Sequence, residues 1–123
     1  MISANYLRYT LKPGMPLVLR GPQGCGKTTL ARAIAKRHGS YIECNVIDFT
    51  RTAGWKAACA TVVDTIIVEG IPNFAELPGE LKSLFAGESP KPKKFIFCGL
   101  PGDGGPLDEF PRCYLINMPA RQA

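Results

Sequence analysis

Gly21-Pro22-Gln23-Gly24-Cys25-Gly26-Lys27-Thr28 places three glycines, a lysine and a hydroxyl at the fixed positions of a phosphate-binding loop. Such a loop turns several backbone N–H groups toward one point, and glycine both tolerates positive φ and lets the backbone approach an anion closely. Lys27 brings a positive charge to the β and γ phosphates, and the Thr28 hydroxyl is suited to a Mg²⁺ that bridges them. With Thr29 behind it, the stretch Gly21–Thr29 forms the expected binding set for ATP or another nucleoside triphosphate. A second candidate is Glu69, which closes the apolar run Thr65-Ile66-Ile67-Val68. A run of that kind delivers its terminal carboxylate to the carboxyl edge of a buried parallel sheet.

These residues need strands and helices to hold them. Leu17-Val18-Leu19 suits a buried strand before the loop, and Leu30, Ala33, Ile34 and Arg37 mark a helix over Thr28–His38 that stops at Gly39. The helix N-terminus then reinforces binding of a polyphosphate. Tyr41–Val46 reads as a second strand, and Trp55, Cys59 and Val62 share one face of a helix from about Thr52 to Val63. The third strand, Thr65–Glu69, gives way to a break at Gly70-Ile71-Pro72-Asn73, and Leu77, Leu81, Leu84 and Phe85 space out a short amphipathic helix. Ser89–Lys94 reads as a solvated linker before a fourth strand, Phe95–Cys98, and a glycine-rich loop, Gly99–Pro106. Cys113–Met118 reads as the fifth strand.

A chain of 123 residues, 46% hydrophobic, has room for one modest core. It contains no apolar run near the roughly 20 residues of a membrane span and no leader pattern, so a cytoplasmic protein is expected. Five cysteines without a Cys-x-x-Cys pair, beside one histidine, indicate neither a disulfide framework nor a zinc site. Charge is uneven: residues 1–63 carry nine Lys/Arg against Glu43 and Asp48, and residues 64–123 carry six against eight acids. That asymmetry, with Lys91, Lys93 and Lys94 in the linker, allows sequence-independent contact with DNA or RNA.

Five strands with helical crossovers, the first followed by the phosphate loop and the third ending in an acid, resemble the core of the AAA+ ATPases. The resemblance runs from about Leu17 to Pro119 and leans toward the superfamily 3 helicase-type ATPases of viruses and mobile elements. It implies a three-layer α/β/α P-loop NTPase fold with a five-stranded parallel sheet of order 5-1-4-3-2. Residues 1–123 then form a single minimal domain, with 1–15 as an N-terminal arm and no C-terminal lid. Gly21–Thr28 is the full Walker A motif, and Thr65–Glu69 looks like Walker B, with Glu69 in the place of the metal-associated aspartate. Phe95–Cys98 falls at the sensor 1 strand, where relatives usually carry Asn and this chain reads Cys98-Gly99. Arg112 falls where many relatives place an arginine finger.

The resemblance therefore implies a catalytic set of Lys27, Glu69 and Arg112 and a Mg²⁺ held by Thr28 and Glu69. Walker B ordinarily ends in two acids, whereas Gly70 follows Glu69 here, so slow or assembly-dependent hydrolysis is expected. The function expected is a Mg²⁺-dependent ATPase acting as a homo-oligomeric ring or filament in nucleic-acid remodelling or replication. The first alternative is a nucleotide-binding regulatory module that joins a larger ATPase and turns over little. A small nucleotide kinase is the second, and would require a substrate pocket and a basic lid.

Overall fold

The computed structural model describes residues 10–11, 16–22, 24–51, 54–71, 93–99 and 114–117. Along these the order is β1 (Leu17–Arg20), α1 (Lys27–Arg37), β2 (Tyr41–Asn45), α2 (Val46–Thr50), α3 (Gly54–Cys59), β3 (Thr65–Ile71), β4 (Lys94–Gly99) and β5 (Tyr114–Asn117). The strands form one sheet in the order β2-β3-β4-β1-β5, and every pairing is parallel. This is an α/β fold built on a parallel sheet, as the alternation of apolar runs and helical spacings predicts.

Strand residues alternate between two apolar layers because successive side chains point to opposite faces. Leu17, Leu19, Ile67, Ile96 and Cys98 join Leu30, Ala31, Ile34 and Ala35 of α1 in one cluster. Val18, Ile66, Val68, Phe95 and Phe97 join Val46 and Phe49 of α2 in the other, with Ala58 and Cys59 of α3 packed against it. The central strands are buried on both faces, which is why they read as unbroken apolar runs. Leu11 joins the α1-facing cluster from ahead of β1. It is buried under α1, and its N–H donates to His38 Nε2 at 3.0 Å while His38 Nδ1 donates to the Ile34 carbonyl at 2.9 Å.

Four sequence expectations change. The second strand stops at Asn45 rather than Val46, because the extended Asn45 accepts the Ile47 N–H on its side-chain oxygen at 2.9 Å and so starts α2. The expected helix over 52–63 is only α3: it ends at Cys59, and Val62 lies beyond it, 82% exposed, instead of covering the sheet. The third strand does not end at Glu69. It continues through Gly70 to the fully buried Ile71, with a bulge against β4 between Val68 and Ile71.

Lys93 is the fourth correction. It is buried rather than solvated, and its ammonium donates to the carbonyls of Thr61 and, at 2.6 Å, Val63, fastening the turn after α3 to the start of β4. The helix around 77–85, Lys91 and the loop from 100 to 106 are among the expected features that lie outside the described residues.

Candidate nucleotide-binding site

The loop between β1 and α1 is fixed at both ends. The Gly21 N–H donates to the Gly99 carbonyl at 3.1 Å, tying the loop's first residue to the end of β4, and the Cys25 N–H donates to the Pro22 carbonyl at 3.3 Å. Gly24 and Gly26 adopt φ of 79° and 96°, a left-handed conformation that residues with a Cβ seldom take. Gly26 is also the N-cap of α1. It offers no side chain to the first turn, and the first bond of the helix runs from the Leu30 N–H to the Gly26 carbonyl at 3.0 Å. The first turn contains no acidic residue either, so the positive end of α1 is not neutralised locally and suits an anionic group.

Lys27 points back into the loop. Its ammonium donates to the Gly21 carbonyl at 2.5 Å and the Pro22 carbonyl at 3.0 Å, and it approaches Cys25 Sγ at 3.9 Å. The charge is therefore held over the loop by the loop's own backbone. Thr28 is half-buried and Thr29 exposed at the start of the helix.

A row of strand-end residues lies beside this loop. Asn45 of β2 pairs in register with Glu69 of β3, and Cys98 lies at the corresponding end of β4. Cys98 and Ile67 both belong to the α1-facing cluster, so the period of two puts Glu69, and with it Asn45, on that same face. Glu69 Oε1 is buried and has no hydrogen-bond partner among the described residues. A buried carboxylate oxygen of this kind is a hard donor that fits a divalent cation. No group of three metal-ligating side chains converges among the described residues.

Burial pushes the Cys98 thiol up from 9.0 to about 12, with the negative charge of Glu69 adding to the shift and Lys27 opposing it. The thiol is thus protonated at neutral pH and stands within electrostatic reach of both charged candidates. Behind the row, Arg32 of α1 donates from Nε to both carboxylate oxygens of Glu43 on β2, at 2.9 and 3.0 Å.

Sequence reasoning missed Asn45. Its signal was a capping residue directly before an Asp48-containing first turn. The structure brings together Gly21, Pro22, Gly24, Cys25, Gly26, Lys27, Thr28 and Thr29 around one loop and places Glu69 on the α1-facing side of the sheet. Gln23 and Arg112 lie outside the described residues.

Comparison with known proteins agrees with this geometry. A sequence model of the family described as "ATPase family associated with various cellular activities (AAA)" matches residues 17–98. Among curated proteins, the cytochrome c biogenesis ATP-binding export protein CcmA of Ruegeria pomeroyi is 62% identical over 29 residues, which are 24% of this chain and 14% of that protein. Among solved structures, a replication initiator DnaA bound to AMPPCP and single-stranded DNA aligns with TM-score 0.58 at 18% identity, covering 95% of this chain and 44% of that one. AMPPCP-bound DnaA from Aquifex aeolicus aligns with TM-score 0.52 at 19% identity over 85% of this chain and 40% of that one. The chain thus spans less than half the length of these relatives, and at such identities the likeness is one of fold.

Proposed function

Since the chain belongs to the AAA family of ATPases, we propose that it binds ATP and hydrolyses it with Mg²⁺, acting as an oligomer on nucleic acid. The observation that carries this reading is the Lys27 ammonium, held by the carbonyls of Gly21 and Pro22 directly beside a helix N-terminus without an acidic residue. A polyphosphate meets a fixed charge there and several backbone donors at once. The AMPPCP in both DnaA structures supports a nucleoside triphosphate as the ligand.

In this reading Gly21–Thr29 cradles the phosphates, while Thr28 and Glu69, whose buried Oε1 has no hydrogen-bond partner among the described residues, would hold Mg²⁺. The cation supplies neutralisation of the β and γ phosphate charge. Lys27 shares that task, and Arg112 from a neighbouring subunit would complete it as charge builds on the transferred group. A single domain over 1–123 and a cytoplasmic location belong to the same proposal. So does a working role like that of replication initiators or superfamily 3 helicases.

A specific observation favours a second reading. Gly70 follows Glu69 at φ 77° inside the bulge, so the backbone where a second acid would stand has a conformation suited to glycine. A member of this kind binds nucleotide and joins a larger ATPase with little turnover of its own. Steady-state ATP turnover, measured over a range of protein concentrations with and without single- and double-stranded DNA, separates the two. An assembling motor gives a rate per subunit that rises with concentration and with DNA, and Glu69→Gln abolishes it. A regulatory module gives saturable ATP binding and a rate near background throughout. Transfer of phosphate to an added nucleotide instead of water would support the kinase alternative and overturn both.

A further inference from the structure

The contact between Leu11 and His38 fixes the charge state of a titratable ring by geometry. The Leu11 N–H meets His38 Nε2 at 3.0 Å, and His38 Nδ1 stands 2.9 Å from the Ile34 carbonyl. A backbone N–H only donates and a carbonyl only accepts. Nε2 must therefore offer its lone pair and Nδ1 must carry the proton, so the ring is the neutral Nδ1–H tautomer with both nitrogens in use. An imidazolium in the same place keeps the bond to Ile34 but turns an Nε2–H against the Leu11 N–H, two donors with no acceptor between them.

The group held in this way is buried. Leu11 is 3% exposed and belongs to the cluster that contains Leu30, Ile34 and Ile96. Losing Nε2 as acceptor leaves its N–H unmet inside an apolar layer, which disfavours keeping the residue there. His38 is seated independently of Leu11: it is the C-cap of α1, and its backbone N–H donates to the Ala35 carbonyl at 2.9 Å. The two partners are 27 positions apart, and the stretch that their bond closes holds β1, the glycine loop and α1.

The titratable side chains on the elements that meet at this end are Lys36 and Arg37 on α1 itself, Tyr41 at the head of β2 and Asp64 just ahead of β3. Thr10 and Leu11 bring none. The two cations oppose a further positive charge. Asp64 favours one, but its carboxylate already accepts from the Ser40 N–H and hydroxyl, at 3.2 and 3.3 Å.

We propose that His38 is a proton-operated latch, which fastens Leu11 to the C-terminal end of α1 while its ring is neutral and lets Leu11 go when the ring is protonated. The latched state excludes the second proton, so protons bind more readily to the released state and acid favours release. Histidine side chains change charge between about pH 8 and about pH 5, so the latch is closed at the upper end of that interval and open at the lower. The opening is local, because the parallel pairings of β1, β3 and β4 are backbone bonds between apolar strands. It is also independent of what the glycine loop binds.

The test uses the full chain, whose one histidine makes the imidazole signals unambiguous. Long-range ¹H–¹⁵N spectra recorded from about pH 8 to about pH 5 report the tautomer and the protonation of the ring. Amide hydrogen exchange at the same pH values, corrected for the intrinsic rate, follows Leu11 and Ile96. The expected result is the Nδ1–H tautomer at the upper end and a fall in Leu11 protection of about tenfold or more, the scale of one lost hydrogen bond, over the interval in which the imidazole titrates, with Ile96 protection unchanged. In His38→Gln, which carries no titrating ring, Leu11 protection should be independent of pH at whatever level it has.

An Nε2–H tautomer at the upper end of the interval, or Leu11 protection that stays constant while the imidazole titrates, would overturn the proposal. The same pH response of Leu11 in His38→Gln would do so too. A parallel loss of protection at Ile96 would also count against it, since that is unfolding of the sheet and not the opening of a latch.

Discussion

At the scale of single residues, Lys27 matters through what it touches. Two carbonyls of its own loop hold the ammonium, so Lys27→Ala removes both the charge owed to the phosphates and a brace of the loop. ATP affinity should fall by about 30-fold or more, the equivalent of about 2 kcal/mol, with adenosine affinity nearly unchanged. Titration of both ligands checks this, and equal losses would place the binding elsewhere. Cys98 gives a different signature. Its thiol is raised from 9.0 to about 12 by burial, then by Glu69, so its contribution to stability is complete below about pH 9 and drains away as pH climbs toward 12. Melting temperatures followed from about pH 8 to about pH 11 should fall in the parent and fall less in Cys98→Ala.

At the scale of elements, the strands and α1 were legible because their patterns are strong: unbroken apolar runs at β1, β3 and β4, and Leu30 and Ile34 four apart on a helical face that proves buried, although Ala31 and Ala35 complete that face in place of Ala33 and Arg37. The segment between β2 and β3 was harder. Its helices have five and six residues, too short for periodicity to fix their ends, and a capping side chain at Asn45 decides where the first begins. The bulge at Glu69-Gly70 is a matter of strand pairing, which no local spacing records. Lys93 was misread for a similar reason, since a lysine in a Pro-Lys stretch looks solvated until the tertiary fold brings the Thr61 and Val63 carbonyls to it. Lys93→Met should leave those carbonyls unpaired and cost about 1–3 kcal/mol of stability, read by thermal or urea unfolding. If instead the variant melts like the parent and only loses nucleic-acid affinity, the lysine is acting as a surface cation.

At the scale of the whole molecule, the turn from β1 into α1 was legible because its glycine spacing is local, whereas the surroundings of the companion acid were legible only in part. Sequence placed Glu69 at a strand end, but its alignment with Asn45 and its free buried oxygen emerged from the sheet. Assembly is the proposal tested at this scale. If Arg112 serves the neighbour's site, the contact is heterologous and generates a ring or filament. Arg112→Ala and Lys27→Ala chains, each inactive alone, should regain some ATP turnover when mixed, because some interfaces then pair an intact loop with an intact arginine. A mixture that co-assembles yet stays inactive would rule out the shared site.

The sheet order also sets a timetable. β1, the strand that launches the loop, is flanked by β4 and β5, so Leu17 finds its partners only at Ile96 and Tyr114. Such long-range pairings form late, because a large loop of chain must close before either contact is rewarded. The loop that follows β1 is thus written in the sequence well before the two strands that flank β1 and complete its scaffold. In refolding, the helical signal of α1 should therefore appear before the capacity to bind ATP, with the interval marking the closure of the sheet around β1.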